Sequence, residues 1–377
     1  MFNVRDSHQL IDRSQTYVLD RKCVTIHSSD RDVNKWPYSN HFEVTLPQAL
    51  HNIQSMRLLE IQVPSNYYSF SNELQNTKFK FRFDTVSTAW STSSIPAIYT
   101  ILNNAGDFEI TIQNGFYDPD EIANEIQNRM NKAITDYLFD NSVSYVYDKF
   151  VVANDKAGMK VFFGNTIDSF VLLFSERMDY TLQQCEQANA WERYTQWGFP
   201  FYVGFEKNDY TSITSNDELF FFYKSADPWL TYSDDPSSNS VYYVEAPFMY
   251  RLFGENTIYM ELEKYNTIDE IVPFSQSTNS TYNNDYSGRV NSAFAKIPIT
   301  ILPYGQVFDS RNGFLQNVTH FDPPVEKIQK VKVKFRNHVG ILIDFQDLPI
   351  NFTIEFNMLK NEIGKDYKLR IPFAYTL

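Results

Sequence analysis

The residues that could do chemistry are scattered along the chain, and their spacing fits no catalytic or metal-binding pattern. The 377 residues contain six histidines: His8, His27, His41, His51, His320 and His338. None forms an HxH or HExxH pair, the spacings that let two imidazoles bind one zinc ion. The GxSxG, GxxxxGK[ST] and GxGxxG motifs of hydrolases and nucleotide-binding proteins are also missing. We therefore predict no enzyme activity, no catalytic residue, no cofactor and no metal.

Acidic pairs leave two alternatives open. The pairs are Asp234 with Asp235 in "YSDDPSS" and Asp344 with Asp347 in "IDFQD". Carboxylates could bind calcium or serve a glycoside hydrolase, but in a chain with 46 acidic residues a neighbouring pair carries little information. We interpret Asp344 and Asp347 as turn residues beside Phe345. A carbohydrate-binding or hydrolytic β-sandwich remains the alternative. Its candidates for stacking on sugar rings are Trp191, Trp197 and Trp229.

The composition favours an aromatic β protein with a sizeable core. Hydrophobic residues make up 43% of the chain and aromatic residues 16%, and aromatic side chains fit the pleated surface of a sheet. A net charge of −13 argues against a nucleic-acid partner, which would need clustered Lys and Arg. Two cysteines are too few for a disulfide scaffold. With no signal-like segment and no run of about 18 apolar residues, we expect neither secretion nor membrane insertion.

Residues 1–38 lack sustained periodicity and carry turn signals such as "SSDRD" and "NKWPYSN". We interpret them as an extended N-terminal arm. Several of its side chains are too apolar for a solvated tail, so we predict that they contact a neighbouring subunit. These candidates are Tyr17, Val18, Leu19, Val24, Ile26 and Trp36.

Alternating apolar and polar residues predict strands over most of residues 39–377. "HFEVTLP", "KFKFRF", "DFEITI" and "INFTIEF" each place apolar side chains on one face. One amphipathic helix interrupts the strands: Asp118 as N-cap, Pro119 at N1 and Glu121 at N3 form a capping box, and an apolar stripe follows. "YDKFVVANDKAGMKVFFG" predicts a hairpin.

Many short strands and few helices predict an all-β fold with one or two short helices. The architecture expected is an antiparallel, jelly-roll-like β-sandwich with insertions and an extended N-terminal arm. Two sub-domains, about 39–175 and 240–377, could flank a variable region at 176–250. Residues 269–293 are rich in Ser, Asn and Thr, which predicts a long surface loop.

A basic strip stands out in this acidic chain. In "KIQKVKVKFRNH", Lys330, Lys332 and Lys334 alternate with Val331, Val333 and Phe335, so the three lysines share one strand face. The strip is either the solvated face of a half-buried strand or a contact patch for an acidic neighbouring subunit.

Several segments, in order, resemble one family. "SSDRD" followed by "WPYSNHFEVTLPQALHNIQSMRLLEIQVPSNYYSF" resembles the opening of minor capsid and related structural proteins of large icosahedral nucleocytoplasmic DNA viruses, including those of chlorella viruses. "ITIQNGFYDPDEIANEIQNRMNKAI", "NSAFAKIPI" and "VEKIQKVKVKFRNHVGILIDFQDLPINFTIEF" are similar to later elements of that family. Residues 176–250 match no part of the pattern.

The resemblance implies a jelly-roll-like fold, no catalysis and a position in a capsid lattice. On this basis we expect a virion protein, assembled in the host cytoplasm, that links or cements capsomers. Its partners would be the major capsid protein and other minor capsid proteins, with a homo-oligomer left open. A penton or vertex protein of the same kind of capsid is the alternative within this class.

Overall fold

The computed structural model describes residues 17–64, 68–181, 189–215, 219–221, 228–231, 241–254, 256–269, 292–299, 307–309, 318–338 and 340–361. Two compact units divide the chain. Unit 1 comprises Met1–Asn66, Asn256–Pro273 and Arg289–Leu377, and unit 2 comprises Tyr67–Glu255 and Phe274–Gly288. Unit 2 is thus largely an insertion into unit 1. This division differs from sub-domains at 39–175 and 240–377, because alternation predicts strands but not which distant strands pair.

In chain order the strands are β1 (Tyr17–His27), β2 (His41–Pro64), β3 (Lys78–Thr85), β4 (Phe108–Thr111), β5 (Phe150–Asp155), β6 (Lys160–Asn165), β7 (Ser169–Leu172), β8 (Tyr210–Thr211), β9 (Ile213–Ser215), β10 (Leu219–Phe221), β11 (Pro228–Thr231), β12 (Val241–Glu245), β13 (Thr257–Leu262), β14 (Ile268–Asp269), β15 (Ser292–Ala293), β16 (Ala295–Pro298), β17 (Val307–Asp309), β18 (Thr319–Arg336) and β19 (Asn351–Asn361). The helices are α1 (Ala89–Thr92), α2 (Ala97–Asn103), α3 (Pro119–Asp140) and α4 (Phe199–Tyr202). The strands of the described residues pair antiparallel, which confirms the predicted all-β, antiparallel, jelly-roll-like fold.

Unit 1 is built on a seven-stranded sheet in the order β1-β19-β2-β18-β13-β16, with β17 also paired to β2. Its long central strand β2 pairs with β18 over its first part and with β19 over its second part. One face is apolar and fully buried, with Phe42, Val333 and Phe352 among its side chains. The register of β18 on β2 shifts between His320 and Val325, where two prolines cannot donate ladder hydrogen bonds.

Unit 2 contains two four-stranded sheets, β4-β3-β7-β8 and β5-β6-β12-β9. Their facing side chains meet in one aromatic core, so this unit is a β-sandwich. Phe81 of the first sheet packs edge-on against Phe150 of the second, with ring centroids 5.1 Å apart. Phe79 and Phe163 make a similar contact at 6.3 Å. The predicted hairpin is present as β5 and β6.

Helix α3 begins where the sequence predicts. The Asp118 side chain accepts a hydrogen bond from the Glu121 backbone N–H, and Glu121 accepts one from the Asp118 N–H, so the capping box is complete. The apolar stripe of Ile122, Ile126 and Met130 is buried in the core of unit 2. At 22 residues the helix is longer than the short helices expected.

Three shorter helices were not predicted, because α1, α2 and α4 span only one or two turns and show no usable periodicity. The described part of residues 176–195 contains a single 3₁₀ turn, Ala190–Glu192.

Most of the loop predicted at 269–293 lies outside the described residues, as do Asp234 and Asp235. Among the helices described, none has the length and apolarity to cross a membrane.

A buried polar network ties α1 to the sandwich of unit 2. Asp168 is fully buried and accepts hydrogen bonds from the Ser87 backbone, the Trp90 indole and the Tyr147 hydroxyl, the last at 2.7 Å. Asn165 donates to the Tyr147 hydroxyl at 2.8 Å. Burial raises the pKa of Asp168, although the hydrogen bonds from Ser87, Tyr147 and Trp90 oppose the shift. Since no member is exposed, the network is structural.

Candidate interaction surface

Five of the six residues predicted to make arm contacts lie in β1, the edge strand of the unit 1 sheet. β1 pairs with β19 over its whole length, from Tyr17 opposite Asn361 to His27 opposite Asn351. The segment is thus a strand of the sheet with a partner in its own chain, and contact of these residues with a neighbouring subunit stays a prediction. Tyr17, Val18, Leu19, Val24 and Ile26 all lie in this strand.

Pairing with β19 satisfies only one edge of β1. The strand is last in the sheet order, and the described residues supply no strand for its outer edge. Ile26 is buried, Val24 is half-buried, and Leu19 exposes 58% of its surface. The Cys23 thiol is also exposed. An edge of this length with unpaired backbone groups is a template for pairing with another chain.

A charged cluster fixes β1 to the sheet. Glu355 of β19 accepts hydrogen bonds from Arg57 of β2 at 2.9 and 3.1 Å, and its carboxylate lies 2.5 Å from the Arg21 guanidinium of β1. Burial alone would raise the pKa of Glu355, but hydrogen bonds from Arg57 and Asn357 outweigh it and lower the pKa. The ionised carboxylate therefore links three neighbouring strands.

The predicted basic strip forms the outer face of β18. Lys330, Lys332 and Lys334 project opposite the buried Val331 and Val333, as the alternation predicts. The first two lysines are paired across the sheet. Lys330 lies 3.1 Å from Glu43 of β2, and Lys332 lies 3.1 Å from Glu263, directly after β13. Burial and the nearby Arg336 lower the pKa of Lys334.

Trp36 lies on the same face, which joins two groups of predicted residues. Its ring centroid is 5.5 Å from the Lys332 ammonium and 5.3 Å from that of Lys35, both within the range of cation–π attraction. The His41 ring packs against it at 4.6 Å. We call this surface the basic face. It consists of Lys35, Trp36, His41, Lys330, Lys332, Lys334 and Arg336.

Arg31 positions Trp36, although no sequence pattern points to this role. Its guanidinium donates to the backbone carbonyls of Ser28, Trp36 and Pro37 at 2.8, 3.0 and 2.9 Å. The chain between β1 and β2 is thereby folded into a compact loop. The "SSDRD" turn signal indicates a loop, but hydrogen bonds from one side chain to backbone carbonyls produce no periodic pattern in a sequence.

His41 was also missed as a member of this face. Burial, together with the charges of Lys334, Lys332 and Arg336, lowers the pKa of His41 to about 4. Its Nε2 atom is buried and makes no hydrogen bond within the described part of the chain, which fits a neutral imidazole. His41 of β2 pairs with Lys334 of β18, which places the first of these three charges beside the imidazole.

The basic face is positively charged in a chain whose net charge is −13. Among the described residues its cations outnumber the carboxylates that contact them. The cations are Lys35, Lys330, Lys332, Lys334 and Arg336, and the carboxylates are Glu43, Glu261 and Glu263. A surface of this kind attracts an acidic partner and steers its association.

The residues considered for other chemistry occupy different settings. Asp344 accepts hydrogen bonds from the backbone and side chain of Gln346, which is a turn arrangement. Trp191 and Trp197 meet edge-on at 5.1 Å, but the Lys207 ammonium lies over both rings, and Trp197 is buried. The Trp229 side chain is outside the described residues. Across the described ranges no group of three His, Cys, Asp or Glu residues is suited to a metal.

Comparison with known proteins yields likenesses among solved structures and none elsewhere. No family model matches the chain, and no curated protein matches it. Among solved structures, the chain is similar to the selenomethionine-labelled mavirus penton protein, with a TM-score of 0.39 and 9% sequence identity. The likeness covers 91% of this chain and 99% of that one. A TM-score this low assigns no function to the chain.

Proposed function

We propose that this chain is a structural protein of an icosahedral viral capsid, a minor capsid protein that links capsomers of the major capsid protein. The observation that carries the proposal is the outer edge of β1, an 11-residue strand with no partner strand on that side among the described residues. The ordered sequence motifs support the capsid class. In this proposal the virion is the location, the host cytoplasm is the site of assembly, and other minor capsid proteins are further partners.

Two kinds of contact would hold the chain in the shell. A neighbouring chain adds a strand to β1, where backbone hydrogen bonds supply affinity and the exposed Leu19 packs against it. The basic face with Trp36 and Lys332 meets an acidic surface, which sets orientation and accelerates encounter. Each contact is weak alone, but simultaneous engagement raises the effective concentration of the second.

Thiol protection tests the β1 contact. Cys23 is exposed on β1, so in a Cys185→Ser background a maleimide reports on this edge. We expect rapid labelling of the purified chain and labelling at least about tenfold slower in intact particles, because strand addition covers the edge. Equal labelling in both states, or absence of the chain from particles, contradicts the proposal.

Charge reversal tests the basic face. Lys330→Glu combined with Lys332→Glu is expected to lower the amount of chain in particles by about tenfold, because close charge pairs at an interface contribute about 1.5 kcal/mol or more. Lys132→Glu combined with Lys156→Glu, on exposed positions of unit 2, is the matched control. Thermal unfolding verifies that both variants fold. If labelled copies of the native chain are found in particles only at the five-fold vertices, the chain has a vertex role and not a linking role.

A further inference from the structure

Unit 2 contains a cleft of about 820 Å³ that the proposed function does not use. Its walls come from the loop around Tyr194, the segment from α4 to Asn208, and the loop Pro247–Arg251 after β12. A volume in this range is that of pockets that bury most of a bound ligand. Trp197 and Phe205 line it and are buried, at 4% and 3% exposed.

Backbone hydrogen bonds fix the positions of the two main loops of the cleft relative to each other. The Phe248 N–H donates to the Gly204 carbonyl at 3.0 Å, and the Arg251 N–H donates to the Tyr202 carbonyl at 2.7 Å. Gly204 has a φ of +89°, and a Cβ there would lie 2.2 Å from the Phe248 carbonyl oxygen. The close approach of the loops thus requires glycine, and the shape of the cleft exists before any ligand arrives.

Large apolar side chains on the rim are exposed to solvent. Tyr194 is 74% exposed, Phe248 is 54% exposed and Met249 is 58% exposed. Together with Arg251, these are residue types enriched at the centres of protein interfaces. A concave surface with several such residues marks a binding site for a protein segment.

Two cations in the cleft retain binding capacity. The Lys207 ammonium donates to the carbonyls of Trp191 and Arg193, at 2.5 and 2.9 Å, and an ammonium has three donors, so one is left for a ligand. The Arg251 guanidinium lies 5.4 Å from the Phe201 ring centroid. Within the described residues neither cation forms an ion pair with a carboxylate. Glu206 lines the cleft as well and accepts a hydrogen bond from Asn208 at 3.3 Å.

From these features we infer that the cleft binds an acidic peptide segment of a partner protein. An aromatic or long aliphatic side chain of this segment enters the cleft. The apolar side chain packs against Phe248, Met249 and Tyr194. A carboxylate of the segment accepts hydrogen bonds from Arg251, whose fork can bind it with two donors, and from the remaining Lys207 donor. A sugar is disfavoured, since Lys207 covers the tryptophan faces on which a sugar ring would stack.

Fluorescence polarisation with the full-length chain tests the inference. The probe is a labelled hexapeptide, Asp-Phe-Glu-Leu-Asp-Phe, compared with versions that carry Lys for each acid or Ala for each apolar residue. We expect saturable binding of the first peptide and at least about tenfold weaker binding of the other two. Phe248→Ser and Arg251→Gln should each weaken binding about tenfold, a change typical of interface anchors.

Controls separate the cleft from non-specific adhesion. Phe139→Ser and Lys132→Gln change exposed residues of α3, which does not line the cleft, and should leave binding unchanged. No saturable binding, or equal losses in cleft and control variants, overturns the inference. Glycan binding on an oligosaccharide array without peptide binding overturns it in favour of a sugar site. Because purified chain is used, the outcome is independent of particle incorporation.

Discussion

The Lys332 ammonium lies 5.5 Å from the ring centroid of Trp36, although the two residues come from opposite ends of the chain. Pairing of β2 with β18 brings them to one face of the unit 1 sheet, where Lys35 contacts the same ring. Lys332 is at the same time held by Glu263. The tryptophan therefore contacts cations from both the N-terminal loop and the C-terminal part of the sheet.

Replacing Trp36 by alanine should weaken unit 1 measurably. We expect Trp36→Ala to lower the free energy of unfolding by about 1–2 kcal/mol, since each cation–π contact at an exposed site contributes about 0.5–1 kcal/mol and ring packing is lost as well. Urea denaturation measures the change. Tyr38→Ala alters an exposed aromatic residue of the same loop and should stay within about 0.5 kcal/mol of the native chain. Similar losses for both would show that the cation contacts add nothing.

His41 makes stability depend on pH in a defined window. Its pKa is about 4 in the folded chain and 6.5 ordinarily, so between these values the unfolded chain binds a proton that the folded chain does not. Protonation then favours unfolding, and the free energy of unfolding falls as pH drops from 6.5 to 4. His41→Gln should remove about 1 kcal/mol of this fall, a figure reduced for solvent screening of a half-exposed group.

Denaturation curves of both chains across pH 4–8 provide the measurement. Above pH 6.5 the His41 contribution is constant, so the difference in stability between the chains should not change there. Parallel curves down to pH 4 would mean that His41 does not couple to folding. His320→Gln, at an exposed position of β18, is the matched control.

Local features of the fold could be predicted from the sequence, and long-range ones could not. The capping box at Asp118 and the alternation in β18 are set by neighbours within a few residues, and both appear in the structure. The pairing of β1 with β19 joins the two ends of the chain, and no local pattern specifies it. For this reason the sequence predicts an extended arm over residues 1–38 and does not predict that residues 17–27 pair within the chain.

The candidate interaction surface could be predicted only in part, because it combines local alternation with long-range strand pairing. Alternation places Lys330, Lys332 and Lys334 on one face, whereas the meeting of Trp36 with Lys332 depends on how distant strands pair. The unit 2 cleft was not predicted at all. Its residues come from irregular loops whose positions depend on single hydrogen bonds, such as that from Phe248 to Gly204.

Neutralising Glu355 should loosen the β1 edge. Glu355→Gln keeps the size of the side chain but removes the charge that binds Arg21 and Arg57, so β1 should open more often. Hydrogen exchange followed by mass spectrometry should show amides of Tyr17–His27 exchanging about tenfold faster, which corresponds to about 1.4 kcal/mol. Glu109→Gln breaks an exposed pair with Lys78 in unit 2 and serves as control. Unchanged exchange in β1 would exclude this role for Glu355.

Removal of one hydroxyl should destabilise the core of unit 2. Tyr147→Phe leaves Asp168 without one of its donors and Asn165 without its acceptor, in a site closed to water. We expect a loss of about 1–3 kcal/mol in the free energy of unfolding. Tyr137→Phe, which retains ring packing against Phe108 at a partly buried position, should change stability little. Equal effects in chemical denaturation would mean that the hydroxyl network contributes no more than ring packing.

Gly204 offers the sharpest test of the cleft geometry. An alanine Cβ would lie 2.2 Å from the Phe248 carbonyl oxygen, and the φ of +89° disfavours any side chain, so Gly204→Ala must push the two loops apart. We expect a loss of about 2 kcal/mol or more in the free energy of unfolding. Gly106→Ala is the matched control, because nothing lies within 4 Å of a Cβ there. If Gly204→Ala is as stable as Gly106→Ala in urea denaturation, the tight approach of the loops is not a feature of the folded chain in solution.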